Sequence, residues 1–66
     1  MAVAKTIEII SSSTEGMEAA IRDGIAKASE TIKGIEGAWV KGTKLVVRDN
    51  KVVEWRVMLK ITFVVS

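Results

Sequence analysis

The chain contains no cysteine and no histidine, and these two absences exclude more function than any motif it carries. Without thiols there are no disulfides and no thiolate metal sites; without imidazole the commonest transition-metal ligand is gone. No side chain has an unperturbed pKa near neutrality, so proton transfer would need a strongly displaced carboxylate or lysine. Nucleophilic catalysis has neither a thiolate nor a serine–histidine pair to draw on. The sequence therefore points away from an enzyme. Only hard oxygen ligands for Mg²⁺ or Ca²⁺ remain, and no cluster of Asp and Glu has ligand spacing. Long apolar runs are missing too, since nothing approaches the ~20 residues that span a bilayer. No charged segment leads into an apolar stretch and a cleavage site. The expectation is a soluble, cytoplasmic protein with no membrane partner.

A chain of 66 residues makes one small domain, residues 1–66. Such a chain buries only about 60% of its unfolded surface, which leaves it marginal alone. Disulfides, metals and oligomerisation are the usual remedies, but there is no cysteine for the first and no cysteine or histidine for a transition metal. Self-association is what remains, and a hydrophobic content of 48% agrees with it. The net charge of +2 is unevenly spread: residues 1–37 sum to −2 and residues 38–66 to +4. The second half can attract an anion. Its basic residues fall on both strand faces with no aromatic ladder, so a nucleic-acid partner is not expected.

The stretch 3–10, VAKTIEII, is rich in β-branched residues and reads as a first strand, closed by a polar loop over 11–16. From Met17 the apolar positions Met17, Ala20, Ile21, Gly24, Ile25, Ala28 and Ile32 recur at steps of mostly three and four. That spacing predicts a helix over 17–33 with one buried face. Gly16 serves as N-cap, Glu18 and Lys33 suit the helix dipole, and Gly34 is the expected C-cap.

The remainder reads as a long hairpin around Asp49-Asn50, two residues that tolerate the positive φ of a type I′ turn. That turn pairs Arg48 with Lys51, Val46 with Val53, Val40 with Leu59 and Ala38 with Ile61. Val53, Trp55, Val57, Leu59, Ile61, Phe63 and Val65 alternate without a break, which marks a face buried against the helix. Val46, Gly42, Val40 and Ala38 share that face, and Lys44 would have to snorkel past the sheet edge. The opposite face then carries Trp39, Lys41, Thr43, Leu45 and Val47, facing Val52, Glu54, Arg56, Met58, Lys60 and Val64. A bulge would shift part of this register. Apolar residues on a face that the monomer cannot cover mark an interface or a ligand site. The fold class is α+β: a β-α-β-β protomer with one helix on a three-stranded antiparallel sheet.

The strings KTIEIISSS, MEAAIRDGIAKASETIKGI, AWVKGTKLVV and DNKVVEWRVMLKITFVV, in this order, resemble the dodecins over nearly the whole chain. The resemblance implies a hollow homododecamer with helices outward and sheets inward. It also implies binding of riboflavin, FMN or FAD in pairs at symmetric protomer contacts, for storage and not catalysis. The family's flavin site rests chiefly on a Trp early in the second strand, which stacks on the ring, and a Gln in the third strand, which bonds the flavin edge. Gly37 stands at the Trp position and Arg56 at the Gln position. Glycine has no ring to stack, and arginine has donors but no acceptor for a flavin N–H.

Trp39 lies two residues further on the same face, roughly 6.5–7 Å along the strand. The candidate ligand-binding residues are therefore Trp39 as a stacking platform, Arg56 as partner for a ring or a phosphate, and Gly37 as the space left by the family's Trp. The ligand implied is a flavin or a similar flat aromatic molecule. The alternative is a dodecin-fold shell that has lost flavin binding and acts as a scaffold or holds another ligand or ion. In that case Trp39 packs against a neighbouring protomer and Arg56 pairs with Glu54 across an interface. Lys41 and Lys60 read as solvated or interfacial residues, and Met58 and Trp55 as packing.

Overall fold

The computed structural model describes residues 3–65. Strand β1 spans Val3–Ser13, helix α1 Met17–Ser29, strand β2 Ile35–Arg48 and strand β3 Lys51–Val65. The sheet order is β1-β3-β2, and both neighbours run antiparallel to the central β3. β1 continues three residues past its expected end because Ser11, Ser12 and Ser13 pair with Val57, Arg56 and Trp55. Tertiary pairing overrides the turn preference of serine there.

The helix starts as expected, with the Gly16 carbonyl accepting the Ala20 N–H at 3.1 Å. An exposed Glu18–Arg22 pair at 2.6 Å supports its first turns. It stops at Ser29, short of the expected 33. The amides of Glu30 and Thr31 bond back to Lys27 and Ala28 at 3.2 Å, the tighter three-residue spacing that ends many helices. The Ser29 hydroxyl also donates to the Ala26 carbonyl at 2.7 Å. Gly34 thus lies beyond the cap. Its φ of 78° turns the chain into β2, and its carbonyl accepts the Val64 N–H at 3.0 Å.

Ala20, Val57, Leu59 and Ile61 are fully buried, with Ile7, Ile9, Ile21, Ile25, Ala28 and Ile35 packed around them. The alternation in β3 thus does face the helix. Gly24 lets the helix settle on β1: a Cβ there would lie 2.8 Å from the Ser11 Cβ and 3.2 Å from Leu59 Cδ1. Asp49 and Asn50 take φ of 50° and 62°, the pair of left-handed residues that a type I′ turn requires.

The register of β2 differs from the expected one in its middle. Shifts occur between Ile35 and Gly37, between Val40 and Gly42, and between Val46 and Val47. Val40 still pairs with Leu59 and Ala38 with Ile61, but Gly42 faces Met58, Thr43 faces Val57, Lys44 faces Arg56 and Leu45 faces Trp55. Opposed residues share a face, so Thr43 and Leu45 lie on the helix side, while Gly42, Lys44 and Val46 lie on the open side. Each of these five is opposite to the regular alternation. The cause is the extra residue Lys41, which has no partner and flips the parity of the residues after it. Lys44 therefore has no need to snorkel. At the tip Val53 is unmatched and Val46 pairs with Glu54, not with Val53.

The described chain measures 52 × 19 × 13 Å, with a radius of gyration of 13.6 Å. A compact chain of this length has a radius near 11 Å, from about 2.2·N^0.38. The excess is the hairpin, which runs beyond the helix. α1 packs chiefly on β1 and β3, leaving Val40 and Leu45 on the helix side of β2 more than 40% exposed.

Candidate functional site

The sheet face turned away from the helix is built in rows across the three strands. Thr6, Thr62 and Gly37 form one row; Glu8, Lys60 and Trp39 the next; then Ile10, Met58 and Gly42; then Ser12, Arg56 and Lys44. Pairing with the even positions of β3 puts Gly37, Trp39 and Arg56 on this one face. Trp39 is 64% exposed, Ile10 68% and Met58 48%, so the protomer leaves a mixed aromatic and aliphatic surface uncovered. Trp55, by contrast, sits half-buried on the helix side between Ser13 and Leu45.

Gly37 adjoins Trp39, and a Cβ built at Gly37 meets nothing within 4 Å. The space beside the indole is open. Arg56 is not part of the same contact. It pairs two rows away from Trp39, about 13 Å along β3, and its Nε donates to Glu54 Oε2 at 2.7 Å. That hydrogen bond holds the Glu54 carboxyl below the usual carboxylate range. Partial desolvation opposes the shift, while the Arg56 charge, the Ser12 hydroxyl and Arg48 reinforce it.

Lys41, which reads from sequence as a solvated or interfacial residue, stands closer to the platform than Arg56. Its Nζ lies 4.0 Å from the centre of the Trp39 ring. Lys41 is the unpaired residue of the bulge, and bulges re-aim side chains. The signal in the sequence is Gly42, since an isolated glycine within a strand pattern often marks a bulge.

Two grooves among the described residues lie elsewhere. One of about 790 Å³ runs between α1 and the free edge of β1, lined by Ile7, Ile9, Gly24, Ala28 and Ile32 among others. A smaller one gathers Ser12, Ser13, Thr14, Glu15, Asp23 and Glu54. Neither includes Trp39 or Gly37. Among the described residues no group of three or more acidic side chains is placed to hold a metal ion. Among them, too, no helix is long and apolar enough to cross a membrane. A ligand on the Trp39 face is therefore enclosed only when another surface closes over it.

A family profile, Dodecin, matches residues 3–66. The chain belongs to the dodecin family. The dodecin of Thermus thermophilus is 33% identical over 61 residues, 92% of this chain and 88% of that protein. The crystal structure of an arginine-to-alanine mutant of the T. thermophilus dodecin superposes with a TM-score of 0.95 at 30% identity, over 100% of this chain and 98% of that one. The calcium chelating immunodominant antigen of Mycobacterium tuberculosis, a calcium dodecin with a novel calcium-binding site, matches with a TM-score of 0.82. Its identity is 26%, over 92% of this chain and 87% of that one. The β-α-β-β fold with its three-stranded antiparallel sheet is thus the dodecin fold.

Proposed function

We propose that this dodecin is a non-catalytic binding protein that stores a flavin, or a similar flat ligand, between protomers of a homododecamer. The observation that carries this reading is the exposed Trp39 indole beside the open space at Gly37, on a face that a single protomer leaves bare. A tryptophan offers a large, rigid aromatic face, and stacking it on a planar ligand needs no conformational search. Two sheets brought together with these faces inward clamp the ring from both sides. Because Arg56 and Trp39 are far apart within one chain, Arg56 reaches such a ligand from a second copy, where its planar guanidinium suits a ring edge or a phosphate. Membership of a family whose members bind flavins supports the reading at a general level.

A second reading has its own support: the shell binds no flavin and holds another ligand or an ion. Gly37 lacks the ring that stands at this position in flavin-binding dodecins, Arg56 is already engaged by Glu54, and one structural relative is a calcium dodecin. Acidic residues from several copies would have to converge to bind a cation, since the described residues of one chain bring no such group together.

A titration of the purified assembly with riboflavin, followed by flavin emission, separates the two. Flavin storage predicts saturable quenching that disappears in Trp39→Ala. No quenching at micromolar protein contradicts flavin storage and leaves the flavin-free shell.

A further inference from the structure

The exposed Trp39 ring carries one contact within the protomer. The bulge at Lys41 throws an extra residue out of the β2–β3 ladder, and its ammonium comes to rest 4.0 Å above the indole. Lys60, the cross-strand partner of Trp39, is a second basic residue in the same row, with Glu8 paired to it on β1. Gly37 and Gly42 bracket this group along β2 and contribute no side chain that would fill the space. Two carboxylates flank the group: Glu8, in the row of Lys60, and Glu36, the unpaired residue at the shift before Gly37. Glu54 is held by Arg56 at 2.7 Å, and it pairs with Val46, three rows along the strands from Trp39. Lys41 is thus the cation set on the aromatic platform itself.

We propose that Lys41 is the specificity-determining residue of this surface, a displaceable cover that makes the Trp39 platform prefer flat ligands carrying a phosphate. The inference rests on the flat-ligand reading above and names the ligand class within it. An ammonium over an aromatic face is held by the ring quadrupole. A planar ligand that stacks on the same face must strip it away. A neutral ligand offers nothing in return for that lost contact. A phosphate does: it gives the flexible lysine stem a charge-assisted hydrogen-bond partner at the edge of the stack. The same side chain therefore opposes neutral rings and favours phosphorylated ones.

The test compares riboflavin with riboflavin 5′-phosphate on the assembled protein, using wild type, Lys41→Ala, Lys41→Arg and Lys44→Ala. Wild type is expected to bind the phosphate ester about tenfold tighter, the scale of one charge-assisted contact. That preference should shrink as salt rises. In Lys41→Ala the phosphate ester weakens while riboflavin holds or tightens, so the ratio collapses. Lys41→Arg keeps the ratio. Lys44→Ala, on the same face but in the Arg56 row, keeps it too. An unchanged ratio in Lys41→Ala overturns the inference, as does equal affinity of wild type for both ligands, and either result leaves flavin storage standing. Failure of both ligands to bind wild type removes flavin storage and this inference together.

Discussion

Thr43 Oγ1 donates a hydrogen bond to Met17 Sδ across 3.5 Å, tying the middle of β2 to the first turn of the helix. The contact is possible only because the bulge at Lys41 has turned Thr43 to the helix side. Leu45, two residues on, faces the same way but lies beyond the reach of the helix and is 47% exposed. In the proposed assembly, this exposed leucine on the helix side of a protruding hairpin is a surface for a neighbouring protomer to cover. Leu45→Arg should therefore shift the protein from its assembled mass to small species in native mass spectrometry. Lys44→Ala, one residue away on the open face, should leave the mass unchanged.

The helix–sheet contact has a sharp steric limit at Gly24. Alanine is the better helix former by about 1 kcal/mol. Its Cβ would nevertheless lie 2.8 Å from the Ser11 Cβ, an atom too close to the backbone to give way. Overpacking of this kind costs about 1–3 kcal/mol, so Gly24→Ala should lower stability in chemical denaturation despite its higher propensity. Leu59→Ala removes a side chain that is 1% exposed at the centre of the core. It should cost about 2–5 kcal/mol, the larger of the two losses.

Glu54 makes the acid limb of stability partly assignable. Its folded pKa is lowered, first by the Arg56 hydrogen bond. A depressed carboxylate contributes stability that is fully present above its unfolded pKa and is lost as pH falls through the folded value. The contribution should be intact at neutral pH and disappear below about pH 4, the ordinary range of a free carboxylate. Thermal midpoints of wild type and Glu54→Gln, measured from pH 7 to pH 3, should differ most at pH 7 and converge as acid is added. A gap that stays constant across the range would mean that the pair does not titrate with the fold.

On the resemblance, Gly37 and Arg56 are read as standing where the family's flavin site has tryptophan and glutamine, and the structure leaves room for a side chain at Gly37. Nothing lies within 4 Å of a Cβ at Gly37, so Gly37→Trp should fold. Stacking a nucleobase on an aromatic side chain is worth about 1–3 kcal/mol, and a flavin presents a larger face. The double variant Gly37→Trp, Arg56→Gln should bind riboflavin at least about tenfold tighter than wild type by fluorescence quenching. No gain would show that the backbone around these positions, and not only their side chains, departs from the flavin-binding arrangement.

The parts of the fold that repeat a local period are legible in the sequence. The helix face comes from steps of three and four, the buried face of β3 from its unbroken alternation, and the turn from Asp49 and Asn50. The middle of β2 is not legible, because one unpaired residue reverses every side chain after it while the composition stays strand-like. The conflict it produces is visible all the same: Lys44 on a supposedly buried face is a sign that a regular register is wrong there. The shared face of Gly37, Trp39 and Arg56 can be read from parity. The wide separation of Trp39 from Arg56 comes from the observed rows, and the approach of Lys41 to the ring from side-chain geometry at the bulge, which spacing alone does not encode.

The most direct measurement is a crystal structure of the assembled protein grown with FMN. The expected result is an isoalloxazine ring stacked on Trp39 at a contact between two protomers, with Lys41 swung off the indole toward the phosphate. Trp39 packed against a neighbouring protomer's side chains, with no room for a planar ligand, would contradict it.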